Sequence, residues 1–177
     1  MAGRGDDGTA GAGTPSDVLA DAAEAIGTTL DETKTCEELA DFACRHFCEG
    51  AAVDLLPPDE AAGRRSQDPA FARLATAGRT ALLIPPEGPR PLSARALHEG
   101  RAIAVPIGLS ARTPRQVMAV PLLAREIRYG VLLAVRQGAP FTGTDQWAAQ
   151  HAAQVRAAAA ANRPRSLPEV HPQSLPL

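Results

Sequence analysis

The sequence predicts an α+β fold, an antiparallel β-sheet flanked by α-helices. Three observations predict it. Two helical stripes fill residues 16–50; short apolar runs bounded by Gly and Pro follow them; and a hairpin over 116–136, the best β signal, leads into one last helix. The chain has 177 residues, 45% of them hydrophobic, enough for one domain with one sizeable core. Aromatics are only 3%, so alanine, leucine and valine must build that core. Few rings remain to stack on nucleic-acid bases.

A first helix begins near Ser16, an N-cap residue after Pro15, with Val18, Leu19, Ala22, Ala23, Ile26 and Leu30 as its apolar stripe. A second opens at Thr35, with Glu38 three residues on completing a capping box; it buries Leu39, Phe42, Ala43, His46 and Phe47, and Gly50 stops it. Residues 51–56 read as a strand ended by Pro57-Pro58. Residues 71–76 read as a second and 80–84 as a candidate third. Prolines 85, 86, 89 and 91 mark a long loop before a short helix over 93–99. Residues 101–107 read as a strand that Pro106, near its end, makes either an edge strand or a short one. Residues 116–123 and 129–136 pair as a hairpin across 124–128. Thr144 is the expected N-cap of the final helix, whose apolar face is Trp147, Ala148, Ala152, Val155 and Ala159. The first, second and last helices are expected on one side of the sheet.

Residues 1–15 and the Pro-rich residues 163–177 are expected as disordered arms around a domain over 16–162. No apolar run approaches a membrane span, and the N-terminus lacks the apolar core of a secretory signal. A cytoplasmic protein without a membrane partner is the expectation. The net charge of −2 hides an asymmetry: residues 1–60 carry 14 acidic and 3 basic side chains, and residues 61–177 carry 6 and 15. The basic residues are scattered rather than clustered, which argues against nucleic acid and for faces that attract each other within or between chains.

The segments Ile26-Gly27-Thr28-Thr29-Leu30-Asp31, Glu38-Leu39-Ala40-Asp41 and Ala52-Val53-Asp54-Leu55-Leu56 resemble the start of GAF domains. So do Ala96-Leu97-His98-Glu99-Gly100-Arg101, Ala119-Val120-Pro121-Leu122, Gly130-Val131-Leu132 and Pro140-Phe141-Thr142 with Asp145 further along. The pattern is most similar to GAF domains attached to actinobacterial metal-dependent serine/threonine phosphatases. The resemblance implies a sheet of about six antiparallel strands and a non-catalytic regulatory module for a small molecule, a signalling protein, or both. It places the ligand near residues 85–105, which nominates Ile84, Pro85, Leu97, His98, Arg101, Ile103, Met118 and Val120. It implies no particular cofactor. It also implies paired first and last helices; Val18, Leu19, Ala22 and Ile26 with Trp147, His151 and Val155 are the expected homodimer interface, and a monomer with mutually buried helices is the alternative. Relatives carry glycine where this chain has Glu126, so a different turn or some strain is expected there. With no phosphatase segment following, output is expected through a separate protein.

The sequence holds no nucleophile elbow, phosphate loop or dinucleotide fingerprint. Cys36, Cys44 and Cys48 fall on one helix, too divergent to converge on a metal. They read as structural and dispensable, with redox sensitivity as the alternative. An enzyme or redox protein on the same scaffold, and an interaction module with a collapsed pocket, remain rival readings.

Overall fold

The computed structural model describes residues 15–61, 69–83, 90–107 and 114–162. The expected arms at 1–14 and 163–177 lie outside them, and Pro15 already belongs to the first helix. In chain order the elements are α1 (Pro15–Ala25), α2 (Glu32–His46), β1 (Gly50–Leu55), the four-residue α3 (Pro58–Ala61), β2 (Ala72–Gly78), a 3-10 turn (Thr80–Leu83), α4 (Arg90–Glu99), β3 (Ile103–Ile107), β4 (Arg115–Ala124), β5 (Ile127–Gln137) and α5 (Gly143–Ala161). The strands form one antiparallel sheet in the order β2-β1-β5-β4-β3. The candidate strand at 80–84 is instead the 3-10 turn, which buries Leu82 and Leu83.

Side-chain alternation splits the core in two. Val53, Leu55, Met118, Val120, Leu122, Leu132 and Ala134 face α1, α2 and α5. Ala52, Val117, Ala119, Val131, Leu133 and Val135 face α4 and the 3-10 turn. The first, second and last helices therefore share one side, as expected, and α4 covers the other.

The caps differ from the sequence reading. Asp31 caps α2: its Oδ1 accepts from Lys34 N at 2.8 Å, so the cap lies four residues earlier than the expected Thr35. Thr35 is buried within it and donates its hydroxyl to the Asp31 carbonyl at 2.8 Å. Glu38 serves the preceding connection, accepting from Gly27 N at 2.9 Å, from Thr28 N and from the Thr28 hydroxyl. Burial opposes ionisation of Glu38, yet those hydrogen bonds hold it below the ordinary carboxylate value. Gly27, at φ +82°, ends α1. Leu30, 76% exposed, and Ala23 fall outside the buried stripe. Thr142, not Thr144, caps α5 in a reciprocal box with Asp145.

The β4–β5 hairpin turns through Arg125-Glu126 alone. The positive φ falls on Arg125 (+58°) rather than on Glu126, the sign pattern of a type II′ turn, and the register shifts at Leu122/Leu123.

At Gly130, β5 leaves no room for a side chain against β1. A Cβ there would stand 2.1 Å from the Asp54 carbonyl oxygen and 2.8 Å from the Leu55 Cα. Gly130→Ala should cost about 3 kcal/mol, because two paired backbones must separate. Gly143→Ala, with open space around the new methyl, should change stability by less than about 0.5 kcal/mol. Urea unfolding of both variants checks this pair.

Candidate functional site

The α4 side of the sheet gathers some of the nominated ligand residues and separates others. Leu97 and Ile103 are buried there, with Leu82, Leu83, Ala96, Val117 and Ala119 around them. Ile84 and Pro85 lie outside the described residues. His98 is exposed; so is Arg101, which pairs with Glu99 beside Arg95. Met118 and Val120 lie on the opposite face, in the core beneath α1, α2 and α5. The cross-strand register gives the reason. Ile103 faces Ala119, directly opposed residues share a face, and their chain neighbours therefore point away. The residues that occupy the nominated position are Val117 and Ala119.

The α4 side also carries an ion pair that the sequence reading does not contain, buried at its carboxylate but 38% exposed at its arginine side chain. Asp54, 6% exposed, sits in a strand whose every residue is buried. Its two oxygens accept from Arg73 Nε at 2.7 Å and Nη2 at 3.0 Å. A β-bulge makes the pairing possible. Val53 pairs with Ala75 but Asp54 pairs with Arg73, so Leu74 is the extra residue and Arg73 is turned onto the same face as Asp54. The bond to Asp54 raises the Arg73 guanidinium against the effect of its burial. The arrangement can orient a polar or anionic group through the outer edge of the guanidinium. The signal in the sequence was one carboxylate within an apolar strand, which has to find a partner.

On the other side, α1 packs along α5 and both pack on α2. Of the nominated interface, Ala22 and Ile26 are buried within this layer. Val18, Leu19 and Val155 are half-buried, and Trp147 is 36% exposed with its ring 4.1 Å from that of His151. An open groove of about 460 Å³ lies where α5 ends against the hairpin, lined by Leu123, Arg125, Gln154, Ala158 and Asn162 among others.

His46 is less buried than expected: its ring lies 4.3 Å from that of Phe42, and its Nε2 meets Asp21 at 2.5 Å. Arg156 on α5 is fully buried; its Nη2 reaches Glu32 at 3.2 Å and Cys36 Sγ at 3.4 Å, while Nε and Nη1 have no hydrogen-bond partner. Cys44 and Cys48 come within 3.9 Å of each other. Among the described residues no group of three or more His, Cys, Asp or Glu is placed to hold a metal ion. No described helix is long and apolar enough to cross a membrane.

Solved structures similar to this one are GAF domains. That of a phosphoenolpyruvate-protein phosphotransferase from Coxiella burnetii matches with a TM-score of 0.61 at 10% identity, over 83% of this chain and 92% of its own. Free methionine-R-sulfoxide reductase from Neisseria meningitidis matches with a TM-score of 0.62 at 18% identity, over 89% and 92%. The chromophore-binding domain of a bacteriophytochrome from R. palustris matches with a TM-score of 0.58 at 14% identity, over 82% and 59%. The fold is that of the GAF domains. No protein-family model and no curated protein sequence matches the chain.

The Asp54–Arg73 pair has a measurable signature. Arg73→Ala strands a buried carboxylate and should cost about 2 kcal/mol, a figure discounted because the arginine is itself partly exposed. Removing both charges in Asp54→Ala/Arg73→Ala should be less damaging than the sum of the single changes. A double-mutant cycle by urea unfolding reads the difference.

Proposed function

We propose that this chain is a non-catalytic regulatory module, a GAF-like domain that binds a small molecule on the α4 side of its sheet and signals through α1 and α5. The observation that carries the reading is the division of the molecule. One face of the sheet packs the first and last helices side by side. The other buries Leu97, Ile103, Val117 and Ala119 around α4, β3 and β4 and carries the ion pair of Asp54 and Arg73 toward its far edge, on β1 and β2. An apolar lining with few fixed polar groups is the usual make-up of a small-molecule site, and a ligand there would have to enter beneath α4, because these four residues are buried. The chromophore-binding domain among the similar structures supports ligand binding on this scaffold. A signalling protein as the partner rests on the resemblance to phosphatase-attached GAF domains that the sequence of residues 17–162 suggests. Native mass spectrometry of the protein purified from its own host should show a bound small molecule, lost or weakened in Arg73→Ala. NMR shifts on adding that molecule should centre on Leu97, Ile103, Val117 and Ala119; shifts confined to α1 and α5 would overturn the reading.

The module is a homodimer in this reading. Val18, Leu19, Trp147, His151 and Val155 supply the outer surface of the α1–α5 pair, and a two-fold contact would cover it. The acidic N-terminal and basic C-terminal parts favour such an apposition by steering. Sedimentation equilibrium should report twice the chain mass of 18.4 kDa, and Val155→Glu should lower it toward one chain without unfolding. A monomeric unmutated protein at tens of micromolar would refute the dimer.

An enzyme on the same scaffold is the second reading, favoured by the match to the free methionine-R-sulfoxide reductase over 89% of this chain. Its test is direct: turnover of free methionine-R-sulfoxide with a thiol reductant, which the regulatory reading expects to be nil.

A further inference from the structure

We propose that Cys44 and Cys48 form a hydroperoxide-oxidisable dithiol that closes into an intrachain disulfide at the junction of α2 and the sheet. The geometry carries the proposal. The two sulfurs are 3.9 Å apart, with the Cys48 thiol donating to Cys44. Cys48 lies beyond the end of α2, and its backbone is pinned over the last turn: the Ala43 carbonyl accepts from both Phe47 N and Cys48 N, at 3.0 and 3.1 Å. The sulfurs must close by about 2 Å to reach bonding distance, a movement that side-chain rotation supplies.

The two thiols are also chemically unequal. Cys44 is half-buried, so a small oxidant can reach it, whereas Cys48 is buried. The hydrogen bond from Cys48 holds the Cys44 thiol below its ordinary value of 9.0, against the effect of burial. The same hydrogen bond, together with burial, pushes the Cys48 thiol up. Cys44 is thus the attacking sulfur and Cys48 the resolving one. Cys36 takes no part; it is fully buried against Arg156.

The chemistry balances with a hydroperoxide as oxidant. The Cys44 thiolate attacks the terminal peroxide oxygen, the O–O bond breaks, and the alcohol or water leaves with the proton that Cys44 had lost. Cys44 is then a sulfenic acid. The Cys48 sulfur attacks the Cys44 sulfur, the S–S bond forms, and the S–O bond breaks. Hydroxide leaves as water with the proton from Cys48. Two thiols are oxidised by two electrons and one peroxide bond is reduced.

The consequence is local and specific. Cys44 Sγ rests on β2 at Gly78, where a Cβ would come within 2.9 Å of it. Next to Cys48, the Glu49 carbonyl accepts from Arg79 N at 2.7 Å, and the Glu49 carboxylate accepts from Gln137 N at 3.0 Å. Closing the disulfide draws one sulfur from β2 and ties the end of α2 to the start of β1, at the point where β1, β2 and β5 meet.

The full-length protein, reduced and then treated with hydrogen peroxide, tests this. Two of its three thiols should become resistant to alkylation, with recovery on dithiothreitol. Trypsin cuts at Arg45, between the two cysteines, so the disulfide should link the peptide 35–45 to the one beginning at His46. Cys36→Ser should keep that linkage. Cys48→Ser should stop at a sulfenic acid on Cys44, trapped by dimedone. Loss of the linkage in Cys36→Ser, sulfinate on Cys44 without linked peptides, or a disulfide between two chains would each overturn the proposal. Fragmentation of the linked peptides from the unmutated protein tells Cys44 from Cys36, which share the peptide 35–45, so the test survives a variant that fails to fold.

Discussion

One guanidinium, that of Arg136 near the end of β5, holds the elements of this domain to one another. Its Nε donates to the Ala139 carbonyl at 2.9 Å, and its Nη1 to the Phe47 carbonyl at the end of α2, at 3.2 Å. Its Nη2 serves both the Pro140 carbonyl and the Asp145 carboxylate, the latter at 2.9 Å. Asp145 is the same residue that closes the N-terminal cap of α5. The central carbon of the guanidinium also lies over the Phe141 ring, 4.4 Å from its centre. The central strand, the end of α2 and the start of α5 therefore share one rigid fork. A lysine could hold one of these positions as a point charge but could not span them all.

Around that anchor, a chain with 3% aromatics must gain its burial by close approach rather than by bulk. Alanines at 148, 149, 152, 153 and 157 let α5 settle onto β4 and against α1 and α2. At Gly27 the approach is so near that an added Cβ would sit 3.1 Å from that of Ala159. Arg156 is the exception within this small-residue surface. Its buried guanidinium reaches back to Glu32 and Cys36 at the start of α2, with Nε and Nη1 left without a hydrogen-bond partner. Buried donors of that kind cost free energy, so the α2–α5 contact is tight but not fully satisfied.

What the sequence made legible follows from periodicity. The α+β class, the side shared by the first, second and last helices, and the edge position of the strand with Pro106 could all be read, because Pro and Gly punctuate the chain and the helices show one apolar stripe each. The faces of β4 could not. Gln116 to Leu122 are buried on both sides, so the run carries no alternation to tell Met118 from Ala119. The caps were misread between equivalent residues. Thr142 has Asp145 three positions on and Thr144 has Trp147, a difference that settles the α5 cap once the reciprocal bond is considered. The Thr35–Glu38 pattern was a match without a box, since Glu38 was already engaged by Gly27 and Thr28. The Asp54–Arg73 pair needed a bulge, and a one-residue register shift leaves no mark in composition or spacing.

The two-sided sheet gives the domain a short route between its faces. On β4, Val117 and Ala119 lie on the α4 side while Met118, Val120 and Leu122 pack beneath α1, α2 and α5. On β5, Leu133 and Leu132 divide in the same way. One peptide unit separates each residue from its neighbour on the far side. A group wedged beneath α4 therefore acts on the seats of the terminal helices through a single thickness of backbone. Interiors packed this closely pass strain on rather than absorb it. The small side chains over the sheet strengthen the effect, because alanine has no rotamer through which to yield. For a domain whose proposed output runs through α1 and α5, stiffness at this layer is the property that joins the ligand face to the helices.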